Sequence, residues 1–294
     1  MKIIIDGNAL AHKNKHNLKG LTHEEQQVGI IFGFLNQLYK LAHDYNTHDI
    51  AFTWDSAKSL RQKLFPAYKE KRRTLKETKT EEDLAIDQAT YHQIDLLYEE
   101  VLPTLGAVNN YKISGFEGDD LIASIVYANS NDDFIIATGD EDMYQLLQEG
   151  VFIRKSRKVG SKKEYYLYTY EMFRAEYGIT PLEWIDVKAL AGCHSDEVPG
   201  IKGIGEVTAI KYLKGELTPK SKGYFAIKSQ EGKEIYNRNL KLVRLPLHNC
   251  PELVLRPQKS FSIDGFIHIC QMFDFQYFLG KEILDKWKKV LNLK

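Results

Sequence analysis

The sequence is short of cysteines and of long hydrophobic runs. Its 294 residues include three cysteines, Cys193, Cys250 and Cys270, and none of these has the close spacing of a metal-binding pair. Such an odd, sparse set argues against a disulfide scaffold and a cysteine zinc site, and it favours a reducing compartment. The apolar run at 3–5 is too short for the core of a signal peptide, and no run approaches the length of a membrane span. We therefore expect a soluble cytoplasmic protein with no membrane contact.

The sequence also lacks a net charge. Its Lys and Arg residues number 40 and are balanced by 40 Asp and Glu residues. The total charge therefore says nothing about a nucleic-acid partner, and only its distribution along the chain is informative. With 43% hydrophobic residues, the chain is long enough for one large domain or two smaller domains with real cores.

Short apolar runs alternate with stretches of helical periodicity in the first half of the chain. The runs at 2–5, 50–54 and 133–138 predict buried strands, and 108–113 predicts a further one. The predicted helices between them cover 25–45, 82–102 and 117–129. This alternation predicts an α/β fold in which a mostly parallel sheet has helices on both faces.

Acidic residues follow the predicted strands. They are Asp6, Asp55, Asp140 and Asp142, and the helix predicted after 108–113 begins with Glu117, Asp119 and Asp120. Each aspartate alone is more simply explained as a helix cap. Because the carboxyl ends of parallel strands meet at one sheet edge, so many acids gathered there cannot all be caps. Crowded carboxylates repel one another unless a cation neutralises them, and oxygen ligands select Mg²⁺ or Mn²⁺.

A basic stretch at 58–79 follows Asp55 and contains Phe65 and Tyr68 among its lysines and arginines. A charge run of this kind is often only a solvated surface. Beside an acidic metal site, however, it suits a phosphodiester backbone, and its aromatic residues suit stacking on unpaired bases. Smaller basic patches lie at 13–19, just after Asp6, and at 154–163, where a hairpin is predicted.

The pattern after residue 168 is mainly helical. Helices are predicted at 170–177, 181–191, 207–213, 234–244, 263–273 and 281–291, with a polar loop at 214–233. A glycine-rich turn at 192–205 leads into the third of these helices. Its backbone N–H groups could hold a phosphate, although a lone glycine-rich turn is more often a plain connector. The last 50 residues or so carry no motif that indicates a function.

Five motifs in this order resemble those of the 5′-nuclease superfamily, which comprises flap endonucleases, the 5′ nuclease domain of bacterial DNA polymerase I and bacteriophage 5′–3′ exonucleases. The phage branch is the most similar. The motifs are Asp6-Gly7-Asn8, Asp55 with Pro66-Ala67-Tyr68-Lys69-Glu70-Lys71-Arg72, Glu117-Gly118-Asp119-Asp120, Thr138-Gly139-Asp140-Glu141-Asp142, and Gly200-Ile201-Lys202-Gly203-Ile204-Gly205. The resemblance reaches to about residue 245. It departs from the family pattern at Cys193, which stands where the family has the first of two aspartates.

The resemblance implies a PIN-like nuclease core at 1–170 with a basic arch at 56–82. It implies a helical DNA-binding domain at 171–294 with a helix–hairpin–helix motif at 190–213. Two Mg²⁺ ions are expected, for which Mn²⁺ can substitute. The implied ligands are Asp6, Asp55, Glu117, Asp119 and Asp120 for the first ion and Asp140, Asp142 and Asp196 for the second. A K⁺ ion at the 200–205 turn is a further expectation.

The resemblance also implies residue roles. The catalytic set is Lys69, Asp6, Asp55, Asp119 and Asp120, in which Lys69 offsets charge on the scissile phosphate. The DNA-binding set is Lys13, Tyr68, Lys69, Arg72, Gly200, Lys202, Gly203 and Gly205. The expected activity is a structure-specific 5′–3′ exonuclease or flap endonuclease on DNA with a 5′ flap or 5′ end, or on an RNA–DNA hybrid. We expect a monomer that acts in phage DNA replication or primer removal, with replication proteins as partners.

Two alternatives remain open. Cys193 is a poor ligand for Mg²⁺ and motivates a structure-specific DNA-binding protein with little turnover. The other alternative is a PIN-type ribonuclease. That smaller domain would need neither the basic stretch at 58–79 nor the glycine-rich turn, and cleavage assays on flap and hybrid substrates separate the three activities.

Overall fold

The computed structural model describes residues 1–15, 20–74 and 79–294, apart from the side chains of Arg72 and Arg73. The strands, numbered β1 to β10 in chain order, are Lys2–Asp6, Thr22–His23, Gln26–Gln27, Ile50–Trp54, Asn110–Lys112, Phe134–Ala137, Val151–Val159, Lys162–Tyr168, Gly192–Cys193 and Val198–Pro199. The α-helices, numbered α1 to α15, are Gly7–His12, Gly29–Tyr45, Arg61–Leu64, Glu70–Thr74, Glu81–Leu96, Leu102–Leu105, Gly118–Ala128, Tyr170–Tyr177, Glu183–Ala191, Glu206–Leu213, Lys222–Lys228, Gln230–Val243, Ile263–Met272, Gln276–Leu279 and Lys281–Val290. None of these helices is long and apolar enough to span a membrane.

A six-stranded sheet with the strand order β5-β4-β1-β6-β7-β8 organises the chain. The ladders from β5 to β7 are parallel, and β8 pairs antiparallel with β7. The central strands β4 and β6 are buried along their whole length, as expected for parallel strands covered on both faces. The structure therefore confirms the predicted α/β fold and the hairpin expected at 154–163.

Alternating side chains on the central strands feed two separate hydrophobic clusters. Ile3 and Ile5 of β1 pack on one face with helices α2, α13 and α15. Ile4 packs on the other face with α7 and α9. Successive side chains of a strand point to opposite faces, so one short apolar run serves both layers.

The C-terminal residues, which carry no recognisable motif, complete the first of these clusters. Phe266, Phe278 and Trp287 are buried against the same core as Ile3 of the first strand. Hydrophobic packing therefore crosses the boundary expected near residue 170. The division into parts 1–170 and 171–294 stays a prediction about function.

The loop predicted at 214–233 is wrong in its second half, which forms α11 and the start of α12. The side-chain oxygens of Ser221 and Ser229 accept hydrogen bonds from the backbone N–H groups of Tyr224 and Gly232, and these caps start the two helices. The basic stretch is also partly helical, since it contains α3 and α4. The helices α3, α4 and α11, of four, five and seven residues, are too short to show an apolar period.

Candidate active site

The carboxyl ends of β1 and β4 supply the first acidic residues of the site. Asp6 ends β1 and caps α1, where its Oδ1 accepts a hydrogen bond from the backbone N–H of Ala9 at 2.8 Å. Asp55 follows β4, and its Oδ1 accepts from the backbone N–H of Gly118 at 2.7 Å, at the start of α7. A Cβ at Gly118 would lie 3.3 Å from that oxygen, so glycine permits the close approach. Each aspartate therefore fixes a helix start while lying at the sheet edge.

Thr138 joins the end of β6 to the end of β1. Its hydroxyl donates to Asp6 Oδ2 at 3.2 Å and accepts from the backbone N–H of Asp140 at 3.2 Å. Asp140 in turn caps the following 3₁₀ turn by accepting from the backbone N–H of Asp142 at 2.8 Å. These contacts bring the acids that follow β6 to the edge that carries Asp6.

The acids at this edge perturb one another electrostatically. Desolvation, followed by repulsion from Asp55, raises the pKa of Asp6 to about 7. Desolvation also raises the pKa of Asp119 well above its usual value, with further contributions from Asp140, Asp6 and Asp55. The pKa of Asp55 is raised mainly by desolvation, although its side chain retains open surface at the mouth of the site. The described residues place too little positive charge around these carboxyls to stabilise them all as anions, so the donor set fits a bound divalent cation.

A second group of possible ligands comprises Asp142, Cys193 and Asp196, whose donor atoms lie within 4.8 Å of one another. Desolvation and repulsion from Asp140 raise the pKa of Asp142 to about 6. The Cys193 Sγ lies 3.7 Å from Asp142 Oδ2, and burial raises the pKa of the thiol to about 11. Lys188 Nζ lies 3.3 Å from Asp142 Oδ1 and 3.0 Å from Glu206 Oε1. No sequence signal pointed to Lys188, which lies within an ordinary helix.

Lys69 reaches the site from the basic stretch. Its Nζ lies 2.9 Å from Glu117 Oε2 and 3.5 Å from Asp196 Oδ1, and its backbone N–H donates to the Asp196 carbonyl. Burial alone would raise the pKa of Glu117, but Lys69 and Arg61 bring it below the usual value. One lysine thus touches acids from both groups, and its catalytic role stays a prediction.

Tyr68 differs from the prediction that it stacks on an unpaired base. Its side chain is 2% exposed, and its hydroxyl lies 2.9 Å from Glu117 Oε2 and 3.1 Å from Asp196 Oδ2. The ring packs in a small hydrophobic cluster with Cys193, Val198 and Leu242, and this burial closes it to a base. Tyr68 therefore orients two carboxylates instead of contacting DNA.

Asp120 also differs from its predicted role as a metal ligand. It is fully buried, and Arg61 donates to both of its carboxylate oxygens, at 2.6 and 2.8 Å. The backbone N–H groups of Glu117 and Leu247 donate to the same carboxylate. Its oxygens are occupied, so we leave Asp120 out of the ligand set. The ion pair of Arg61 with Asp120 was not predicted from the sequence, because an arginine within a basic stretch is more readily interpreted as a DNA contact.

A comparison with known protein families shows to which family the chain belongs. Residues 1–178 match the family described as 5′-3′ exonuclease, N-terminal resolvase-like domain. The chain belongs to this 5′–3′ exonuclease family. The predicted resemblance to the 5′-nuclease superfamily is thereby confirmed.

The chain is similar in sequence to relatives of two kinds. The chain is 31% identical over 251 residues to the thermostable DNA polymerase I of Thermus thermophilus, a match that covers 83% of this chain and 28% of the polymerase. It is 29% identical over 270 residues to a 5′-3′ exonuclease of Buchnera aphidicola, covering 90% of this chain and 83% of that protein. The chain thus spans little more than a quarter of the polymerase.

The fold resembles that of the bacteriophage T5 D15 flap endonuclease in a pseudo-enzyme–product complex with DNA and metal ions. The TM-score is 0.67 at 21% identity, and the match covers 99% of this chain and 98% of that chain. At this identity the likeness concerns the fold alone.

The glycine-rich turn of this 5′–3′ exonuclease family member is held against α9. A Cβ on Gly200 would lie 2.1 Å from the carbonyl of Ala191, so only glycine fits there. Gly203 has a φ of +81°, a left-handed conformation that favours glycine, and its Cβ position faces open space. Gly205 caps the start of α10. Together with the exposed Lys202, the turn presents backbone groups at the surface, and its DNA and K⁺ roles stay predictions.

The two remaining DNA-binding candidates are Lys13 and Arg72. Lys13 follows α1, and its Nζ lies 3.3 Å from the hydroxyl of Tyr165 in the β7–β8 hairpin. The Arg72 side chain lies outside the described part of the structure, as do residues 75–78 of the predicted arch.

Proposed function

We propose that this protein is a divalent-metal-dependent 5′–3′ exonuclease or flap endonuclease that cuts DNA near 5′ ends. The observation that carries the proposal is the convergence of acids from four chain segments at one sheet edge, with Lys69 in contact both with one of them, Glu117, and with Asp196 of the turn between β9 and β10. Raised pKa values of clustered carboxyls mark a site that is prepared for a cation. Membership of the 5′–3′ exonuclease family supports the same activity.

Two groups of residues fit two divalent ions. Asp6, Asp55, Glu117 and Asp119 would hold the first, and Asp140, Asp142 and Asp196 the second. Mg²⁺ suits the oxygen donors of both groups, and Mn²⁺ can substitute for it. When bound, such ions activate a water molecule and stabilise the leaving oxygen of an in-line displacement.

The chain's own side chains orient the acids and the phosphate. Tyr68 and Arg61 hold Glu117 in place, and Arg61 neutralises Asp120 beneath it. The Lys69 ammonium offsets negative charge on the scissile phosphate, because a positioned cation is most effective where water is excluded. Burial lowers the pKa of Lys69, but Glu117 and Asp196 outweigh this effect and keep the amine charged.

DNA with a 5′ flap or 5′ end is the proposed substrate. The basic stretch would guide the single strand, and the Gly200–Gly205 turn with Lys202 and a K⁺ ion would hold the duplex through backbone groups. The complex of the T5 flap endonuclease with DNA and metal ions supports this choice. We extend the proposed substrates to RNA–DNA hybrids. We further propose that the protein is a monomer that removes primers together with replication proteins. Its proposed location is the cytoplasm, including that of a phage-infected host.

Substitution of Asp119 by Asn tests the function. Cleavage of a 5′-flap substrate in Mg²⁺ should fall to near background in this variant, while DNA binding in Ca²⁺ stays within about twofold of the wild type, since one of many charges is removed. Parallel assays on nicked duplex, RNA–DNA hybrid and single-stranded RNA define the substrate class. Wild-type turnover by the Asp119→Asn variant would refute the assignment, and cleavage of single-stranded RNA alone would favour the PIN-type ribonuclease.

A structure-specific DNA-binding protein with little turnover is the second candidate. The neutral thiol of Cys193 and the ammonium of Lys188 occupy the second group, where a metal site needs negative charge. Tight binding of a 5′-flap substrate without product, in both Mg²⁺ and Mn²⁺, would support this interpretation. Gain of cleavage on replacing Cys193 by Asp would then show that the thiol is the cause.

A further inference from the structure

A cavity of about 530 Å³ lies between α1 and the β7–β8 hairpin. Its lining includes Lys13, Arg154, Lys155, Lys163 and Tyr165, and it reaches Asp140 of the candidate active site. Lys13 of the first small basic patch thus meets the patch at 154–163, which begins 141 positions further along the chain, across one space. Its volume lies within the range of about 300–1,000 Å³ that is typical of small-ligand pockets, so it suits a nucleotide better than a duplex.

Positive charge converges on Tyr165, which lines this cavity. The Arg154 guanidinium lies 3.5 Å from the ring centroid, and the ammonium groups of Lys13 and Lys163 lie 5.5 Å from it. Lys40 adds a fourth cation at 5.4 Å. Burial alone would raise the pKa of the Tyr165 hydroxyl, but Lys13, Lys163 and Arg154 lower it. Cations that crowd one ring repel one another, and an anion among them would relieve that repulsion.

Arg154 offers a buried donor to this cavity. Its side chain is 9% exposed, and among the described residues its buried Nε has no hydrogen-bond partner. One terminal nitrogen lies 3.5 Å from Asp44 Oδ2, which is a weak countercharge. Leaving a buried guanidinium donor unpaired costs free energy, whereas a phosphate matches its planar set of N–H groups.

The cavity adjoins the place where cleavage is proposed. Thr138, whose hydroxyl donates to Asp6, and Asp140 both belong to its wall. The same wall contains the carboxylates of Asp140 and Glu141 and the cations of Arg154, Lys155 and Lys163. A phosphate bound among the cations would therefore lie near the candidate metal-binding acids.

We propose that this cavity binds a terminal phosphate monoester, namely that of a DNA 5′ end or of the mononucleotide product. A monoester carries about one and a half to two negative charges at neutral pH, whereas an internal phosphodiester carries one, so a cluster of cations prefers it. This role rests on the proposed nuclease function. It implies that the position of cleavage is set relative to a phosphorylated 5′ end.

Binding without metal tests the pocket independently of catalysis. In EDTA, the wild type should bind dAMP and inorganic phosphate but not adenosine. The double variant Lys13→Gln/Lys163→Gln should bind dAMP about tenfold more weakly, because charge-assisted contacts are lost. The control Lys158→Gln/Lys162→Gln removes the same number of charges from the β7–β8 hairpin, outside the cavity wall, and should bind dAMP like the wild type. Equal binding of adenosine, or equal loss in the control variant, overturns the proposal.

Cleavage kinetics distinguish the two sources of the phosphate. If the 5′ end is the ligand, a nicked duplex with a 5′-phosphate should show a KM about tenfold lower than the 5′-hydroxyl duplex, and the Lys13→Gln/Lys163→Gln variant should lose this difference. If the product is the ligand, both duplexes behave alike, and dAMP inhibits the wild type but not the variant. Absence of both effects refutes the pocket, while wild-type cleavage itself would leave the proposed function intact.

Discussion

The candidate metal site has two halves, the group of Asp6, Asp55, Glu117 and Asp119 and the group of Asp142, Cys193 and Asp196. They differ in the structural elements on which their residues lie. Asp6 and Asp55 stand at the ends of buried parallel strands, and Asp119 opens a helix that Asp55 helps to fix. Asp196, by contrast, lies in a short turn between the two-residue strands β9 and β10. The first half is therefore built on the rigid sheet, and the second on a small hairpin.

The halves also differ in chemistry. Oxygen donors alone make up the first half, whereas the second contains the Cys193 thiol and has Lys188 beside Asp142. Mg²⁺ prefers oxygen and binds thiol weakly. On the proposed two-ion assignment, we expect the first ion to be bound more tightly than the second.

The largest expected effect comes from removing one acid from each half in turn. Asp119→Asn should lower the single-turnover cleavage rate by about 10³-fold, because it removes a carboxylate proposed to hold the first metal ion. Asp196→Asn should cost only about 10–100-fold, the loss seen when a supporting group at a metal site is removed. Asp285→Asn, which changes an exposed acid on α15, is the control. Equal losses for Asp119→Asn and Asp196→Asn would contradict the unequal halves.

The second test compares the stability of two variants, each of which lacks the cation beside one half of the site. These cations are Arg61 and Lys188. Arg61→Met leaves Asp120 buried without its partner and should lower the free energy of unfolding by about 3–5 kcal/mol. Lys188→Met should cost clearly less, since Asp142 and Glu206 keep access to water. Urea unfolding measures both. A double variant, Arg61→Met/Asp120→Leu, should recover part of the loss, and no recovery would mean that the pair is not the cause.

Replacing Cys193 by Asp should sharpen the comparison by making the second half like the first. The Mg²⁺ concentration for half-maximal cleavage should fall by about tenfold, because an anionic oxygen donor replaces a neutral thiol. Cys193→Ser is the matched control and should not show this gain. If the Mg²⁺ concentration for half-maximal cleavage fell equally in both variants, the cause would be a change in packing around residue 193 and not the added metal ligand.

The same cysteine makes a spectroscopic prediction that does not depend on turnover. Co²⁺ is softer than Mg²⁺, so the Co²⁺-loaded wild type should show a sulfur-to-cobalt charge-transfer band. Cys193→Ser should abolish this band, and Cys250→Ser should retain it, since Cys250 lies outside the group. A band that survives in Cys193→Ser would place the metal elsewhere.

The sequence was informative where local pattern decides structure. Apolar runs that end in aspartate predicted the sheet edge, because a parallel sheet gathers the carboxyl ends of its strands. That is why the strand pattern alone could predict that Asp6, Asp55 and Asp140 lie together. The ordered motifs then supported the family, which the match over residues 1–178 confirms.

Partners that are distant in the chain could not be predicted in this way. Asp119 and Asp120 are neighbours in sequence, yet Asp120 is neutralised by Arg61, 59 positions away, while Asp119 faces the other acids. Tyr68 looked like a stacking residue because its burial depends on packing with Cys193 and Leu242. No local period encodes such choices.

The smallest expected effect is a pH dependence of the metal-free protein. The folded pKa of Asp6 is about 7 and that of Asp142 about 6, and both exceed the ordinary value of 3.8. The protonated forms are thus favoured in the folded state, so their stabilisation is complete below pH 3.8 and disappears as pH rises through 6 to 7. In EDTA, the contribution of these two groups should therefore lower the thermal unfolding midpoint across that window. Asp6→Asn should flatten part of this fall, and Mg²⁺ should reverse it by binding the deprotonated acids. A midpoint that rises over this window in EDTA would show that the crowded acids are not destabilising.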